Sequence, residues 1–214
     1  MRRLFAYLPS FILLTWLTGC SDGPTGPSTI IEFMPIEIGN QWITQHSYFD
    51  TLGVQIQINL PDTVTIIGDT LINSQRWCYQ YYLGYLLAYR NAESGAFIRL
   101  VSPNTDGVEK LLYQFPTYVG SAYAYPVVTF SGDSAWLSDT KDSCTVISVD
   151  TVLTVPAGTF HCVQYRTIRL PRSWTDHFVA RDYGWIRTDY YAPFVPGGGV
   201  YRAGSIETIK IVLH

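Results

Sequence analysis

"VQIQINL", residues 54–60, alternates without an error. Val54, Ile56, Ile58 and Leu60 fall on one side, and Gln55, Gln57 and Asn59 on the other. A period of two belongs to an extended strand with one apolar and one wet face. Pro61-Asp62 closes the run. "TVTII" 63–67 follows and stops at Gly68-Asp69; "QRWCYQYYLGY" 75–85 comes after Asn73-Ser74; "AFIRLV" 96–101 ends at Ser102-Pro103-Asn104; "KLLYQF" 110–115 stops at Pro116. The same rhythm gives strand candidates at 122–130, 134–138, 143–149, 151–155, 159–170, 176–182, 184–191 and 205–213. No window of eleven or more residues carries clean apolar spacing at i, i+3, i+4 and i+7, so helix is expected only in the N-terminal leader and in one turn near 116–121. Short β-rich runs parted by Gly, Pro, Asn and Asp predict an all-β, or nearly all-β, domain. Short connections favour antiparallel neighbours, because parallel pairing needs long crossovers.

The N-terminus is of another kind. Met1-Arg2-Arg3 is a basic start, and Leu4 to Gly19 holds no charge. Sixteen uncharged residues interrupted by Pro9 fall short of the ~20 that a spanning helix needs, so an export signal is the better reading than a permanent span. The run ends in Leu17-Thr18-Gly19-Cys20, which resembles the lipobox of bacterial lipoproteins. That resemblance implies a diacylglyceryl group on the Cys20 thiol and cleavage before it, with 1–19 removed. Each buried methylene contributes about 0.8 kcal/mol, so two or more acyl chains hold a protein to a membrane where one does not. Residues 20–29, "CSDGPTGPST", follow as lipidated Cys and flexible tether; the nine residues after Cys20 reach at most roughly 30 Å. Ser21 is unlike the aspartate that retains lipoproteins at the inner membrane of enterobacteria. The expected address is therefore the outer membrane of a bacterial envelope, with no signal for either face. Residues 30–214 make up the β domain.

Removing 1–19 takes away Arg2 and Arg3. This leaves 12 basic against 17 acidic residues and a net charge of about −5. No basic face is advertised, so nucleic acid is not an expected partner. Cys78, Cys144 and Cys162 show no metal-ligand spacing, the four His are scattered, and neither metal nor other cofactor is expected. Residues 66–81, "IIGDTLINSQRWCYQY", are echoed by 147–165, "ISVDTVLTVPAGTFHCVQY", with Cys78 and Cys162 in matching places. If the two units face each other, Cys78–Cys162 is the favoured disulfide; two hairpins of similar design would give the same echo without it.

Three stretches together resemble an uncharacterised family of bacterial outer-membrane lipoproteins: "FMPIEIGNQW" 33–42, "VPAGTFHC" 155–162 and "FVARDYGWIRTDYY" 178–191. The resemblance implies a single curved antiparallel sheet, a half-barrel similar to that of periplasmic lipoprotein carriers. It implies no catalytic residue. The departure from the pattern is Tyr183, where a Val is usual. Independently of the family, Pro156 suits the first corner of a turn, Gly158 supplies a positive φ, and Val155 and Phe160 are set to pack on one face. Gly39-Asn40 reads as a tight turn feeding Trp42 into the core.

Catalytic motifs are weak. "GDSAW" 132–136 touches the GDS block of some lipases, with Ser134 as nucleophile, but it stands mid-chain among strands. Asp176 and His177, as neighbours on a strand, point to opposite faces. "VPGGGV" 195–200 lacks a phosphate-loop continuation. Asn104, Asp106 and Glu109 are too sparse for an EF-hand. The rings Trp77, Tyr79, Tyr81, Tyr85 and Tyr89 are the candidate ligand-facing set on a concave face; core packing is the competing account. The expected function is a non-enzymatic envelope lipoprotein binding a hydrophobic or glycan ligand or an envelope protein. An envelope hydrolase and a plain structural module of the envelope are the alternatives.

Overall fold

A computed structural model describes residues 33–82, 85–101, 109–125, 127–131, 134–138, 143–170, 173–193 and 199–214. The leader, Cys20 and the tether lie outside the described residues, as do Gly132 and Asp133 of the lipase-like block, Asn104 and Asp106, and most of 195–200. Fifteen strands are described: β1 Gln41–Phe49, β2 Gln55–Ile58, β3 Asp62–Ile72, β4 Gln75–Tyr82, β5 Tyr85–Ala92, β6 Gly95–Val101, β7 Lys110–Gln114, β8 Ala122–Ala124, β9 Val127–Ser131, β10 Ser134–Ser138, β11 Ser143–Val155, β12 Gly158–Leu170, β13 Ser173–Ala180, β14 Gly184–Pro193 and β15 Val200–Val212. There is no helix among the described residues; 116–121 is a bend and a turn.

The main sheet runs β7-β6-β5-β4-β3-β1-β15-β14-β13-β12-β11-β8, antiparallel throughout, with β2 added beside the end of β1 and with β9 and β10 as a separate hairpin. The first and last long strands meet in its middle, where Gln41 pairs with Val212. The sheet curls until its two ends nearly meet. Side chains and not a ladder bridge the seam: the Tyr123 hydroxyl donates to Leu112 O at 2.8 Å, the Tyr165 hydroxyl to Gln114 O at 2.7 Å, and Ser121 Oγ to Gln114 Oε1 at 2.8 Å. The architecture is therefore the expected all-β curved sheet, carried past a half-barrel to a nearly closed barrel.

Local chemistry explains the turns. Asn73 and Ser74 take φ of 52° and 62°, the left-handed pair of a tight two-residue hairpin, and join Ile72 to its partner Gln75. In the VPAGTF hairpin Val155 pairs with Gly158 across Pro156-Ala157. Gly158 has a φ of +143°, and Val155 and Phe160 are buried in one cluster. Gly39-Asn40 turns the chain into β1. Asn40 Nδ2 donates to Pro35 O at 2.7 Å while its Oδ1 accepts from His214 N at 2.8 Å, tying the entry segment to the C-terminus. Trp42 is fully buried, and its Nε1 donates to Tyr183 O at 2.6 Å. Tyr183 thus lies in the turn before β14, where its carbonyl holds Trp42 and its ring meets Phe160 edge-on at 5.1 Å.

Alternate residues of the strands fill the interior. Trp42, Ile66, Cys78, Leu87, Tyr89, Ile98, Tyr113, Cys144, Val146, Val163, Tyr165 and Val179 form one buried cluster. Phe33 and Met34 of the entry segment plug it. Phe33 stacks on Phe115 at 4.6 Å, and the Met34 backbone is clasped by the Asn91 amide. Val155, Phe160, Cys162, Phe178, Ala180 and Ile186 form a second cluster. Cys162 and Val163 are neighbours on β12 and belong to different clusters, so the sheet is packed on both sides there.

That division corrects the disulfide expectation. Cys78 sits in the interior cluster and Cys162 in the other, and the two are not bridged. The echo extends to the strand–turn–strand units β3–β4 and β11–β12, but their matched cysteines belong to different clusters. Its matched tyrosines also part company, Tyr81 being exposed and Tyr165 buried, because a slip of one residue reverses every side chain of a strand.

The stretch 54–60 forms a strand over Gln55–Ile58, but its apolar side faces solvent: Val54 is 57%, Ile56 66% and Leu60 89% exposed. The residues pair only with the outer end of β1, beyond the reach of the core. Ile56→Lys should therefore change the unfolding free energy by less than about 0.5 kcal/mol. A loss of more than twice that amount, read from urea unfolding, would show that the arm is covered in solution.

Candidate ligand-binding face

The five rings singled out in the sequence do not line one surface. Trp77, Tyr79 and Tyr81 alternate with the inward Cys78 and Gln80, so they point outward. Trp77 is buried beneath Arg90, whose guanidinium lies 5.2 Å from the ring, and Tyr81 is exposed. Tyr89 points inward and meets the edge of Trp185 at 5.4 Å. Tyr85 opens β5, and its side chain lies outside the description. The concave face that these rings are expected to line is filled by the core.

Asp176 and His177 do divide between faces. His177 stacks on Tyr125 at 5.4 Å inside the barrel, while Asp176 pairs on the outside with Arg166. Ser134 opens β10, and its side chain lies outside the description. Among the described residues no group of His, Cys, Asp and Glu is placed to hold a metal ion. Burial pushes the Cys144 and Cys162 thiols up to about 12, which leaves them protonated at neutral pH and poor nucleophiles.

The outer wall of β12–β15 is built differently. Strand register sets three rows across it. The central row is Arg166, Asp176, Asp189, Ser205 and, on β1, Ser47. To one side run Trp174, Tyr191 and Arg202, and to the other Gln164, Phe178, Arg187 and Glu207. Asp176 and Asp189 are only 2% and 1% exposed. Each is gripped by a two-pronged guanidinium: Arg166 Nε and Nη2 both donate to Asp176 at 2.7 Å, and Arg187 does so to Asp189 at 2.9 and 2.6 Å. Gln164 Nε2 adds a bond to Asp176 at 3.1 Å. Such fork-to-carboxylate pairs are among the stronger polar contacts and fix the plane of the arginine.

Rings complete the wall. Trp174 and Tyr191 stack at 4.9 Å, Arg166 lies 4.9 Å from the Trp174 ring, and Arg202 lies 4.1 Å from Phe49. The carboxylates are the floor and the guanidiniums the surface. The Asp176 hydrogen bond holds the Arg166 pKa above its usual value. For Arg187 burial acts downward, but the hydrogen bond and charge of Asp189 prevail and raise it. Burial, followed by the charges of Asp189 and Asp176, raises the Tyr191 phenol.

Two buried polar atoms of the wall have no hydrogen-bond partner, Trp174 Nε1 and Ser205 Oγ. Planar polar groups interleaved with ring faces can hold a ligand that presents both hydroxyls and an apolar flank. Sequence reasoning passed over this wall. The only signal was the shared period of two in Trp174-x-Asp176 and Arg187-x-Asp189-x-Tyr191, and its meaning depends on knowing the register.

Fold and wall together define a class: a nearly closed antiparallel β-barrel with a filled interior and a polar-aromatic outer face. No family model, curated protein or solved structure matches the chain.

Proposed function

We propose that the chain is a non-enzymatic lipoprotein of the bacterial envelope that binds a saccharide on the outer wall of β12–β15. Cys20 carries the lipid, residues 20–29 are the tether, and the outer membrane is the address. The lipobox-like end of the leader supports the anchor. The observation that carries the binding role is the row of guanidiniums fixed over buried aspartates and flanked by the Trp174–Tyr191 stack. Saccharides are gripped through their hydroxyls by planar polar side chains, and ring faces pack on their C–H surfaces.

The uncharged arm from Thr51 to Pro61, with its exposed aliphatics, favours a second reading, a module that docks on envelope proteins. The anchor is tested by labelling cells with radioactive palmitate. The wild-type chain should take up label and lose residues 1–19, and Cys20→Ala should do neither. Label retained by the alanine variant would sink the anchor.

A further inference from the structure

We infer that the saccharide is acidic and that its anionic group, a carboxylate or a phosphate, is held where Arg202, Arg187 and Ser205 converge. This rests on the saccharide reading above and names the ligand class. Asp176 and Asp189 are already satisfied, each by a paired guanidinium. Arg166 and Arg187 spend Nε and Nη2 on those bonds, which leaves Nη1 of each for another acceptor. Arg202 is less committed still. Its closest carboxylate oxygen, Asp189 Oδ1, is 3.7 Å away, beyond hydrogen-bonding distance, and its guanidinium rests on the Phe49 ring.

Ser205 supplies the independent observation. It is 5% exposed, and its Oγ has no partner. It stands between Asp189 and Ser47 in the central row, and the Ser47 hydroxyl accepts from Gln55 Nε2 at 3.1 Å. A buried hydroxyl without a partner is uncommon in a folded protein and points to one supplied from outside. An anion here would accept from the Ser205 hydroxyl and from the spare guanidinium nitrogens. Glu207, which pairs with Arg187 across β14 and β15, disfavours an anion at the opposite side of the wall and so directs it toward Arg202. Arginine suits carboxylate and phosphate alike through its planar fork.

The test uses the full-length lipidated protein in detergent micelles and titration calorimetry with four probes: trigalacturonic acid, glucose 6-phosphate, inorganic phosphate, and neutral tri-N-acetylglucosamine. One of the two acidic sugars should bind at least tenfold more tightly than the neutral trimer, and the stronger of them identifies the anionic group. Arg202→Ala should weaken that binding tenfold or more. Ser205→Ala should weaken it too, while leaving the thermal midpoint unchanged or higher; a purely structural serine would leave binding alone. Equal affinity for neutral and acidic sugars, unmoved by Arg202→Ala, overturns the acidic assignment and leaves the saccharide reading standing. Binding of none of the sugars, or of inorganic phosphate as tightly as of glucose 6-phosphate, overturns both.

Discussion

Gly95→Ala is expected to cost at least about 3 kcal/mol, combining left-handed strain with overpacking against rigid backbone. Gly95 opens β6 at a φ of +132°, a region that side chains rarely enter. A Cβ there would lie 1.9 Å from Tyr113 O and 2.8 Å from Phe115 N. Both are backbone atoms, so no rotamer change relieves the clash. Tyr113 cannot move aside cheaply either, since its ring is buried against Phe33 and Tyr165. The neighbouring Gln114 carbonyl receives the Tyr165 hydroxyl that helps to close the barrel, so the damage should spread to the seam. For a domain of this size the loss corresponds to roughly 6–12 °C in the melting midpoint. Gly53→Ala is the control. Gly53 also has a positive φ, +78°, but a Cβ there meets nothing within 4 Å, so only the left-handed cost of about 1–2 kcal/mol applies. Equal midpoints for the two variants would show that the close approach at Gly95 is absent.

The same comparison of local chemistry with surroundings explains what the sequence made legible. The VPAGTF hairpin was readable because proline, glycine and two flanking apolar residues each constrain the same turn. Strand boundaries at 75–92 were not. Trp77 and Tyr79 face outward and Cys78 and Gln80 inward, and all four are large or apolar enough to blur the period, so the run read over 75–85 joined β4 to the first residue of β5 and the rest of β5 went unread. At 54–60 the alternation correctly gave a strand. Its apolar face stays bare because alternation reports a difference between two faces and not what covers either.

The binding wall was hidden for a different reason. Arg166 and Asp176 are ten positions apart, and Ser205 stands sixteen positions from Asp189. Only the pairing of four strands brings them into one row. Barrel closure was equally hidden, since it depends on tyrosine hydroxyls reaching carbonyls across the seam. Face assignment within a single strand needed no such knowledge: Asp176 outside and His177 inside follow from adjacency alone.

His177 makes acid stability the second large expected effect. Its ring lies among Tyr113, Tyr125, Thr167 and Thr188, with Nε2 3.4 Å from Thr167 Oγ1 and Nδ1 3.5 Å from Thr188 Oγ1. No carboxylate is among these neighbours, and burial lowers its pKa from 6.5 to about 4. The unfolded chain therefore binds a proton that the folded chain refuses. The contribution to stability is fully present above pH 6.5 and is lost as the pH falls toward 4. Each unit of difference is worth about 1.4 kcal/mol, so the loss from this residue should reach roughly 3 kcal/mol by the acid end of that window. Urea unfolding at about pH 7.5 and about pH 4.5 spans most of the window and measures it. His177→Gln removes the titration, so the fall in stability between the two pH values should be smaller by about 2–3 kcal/mol, whatever the variant's stability at the higher pH. Carboxylates that lose their partners in acid act equally on both proteins and cancel from the comparison. An identical fall in wild type and variant would mean that His177 is protonated in the folded state and that water reaches the interior of the barrel.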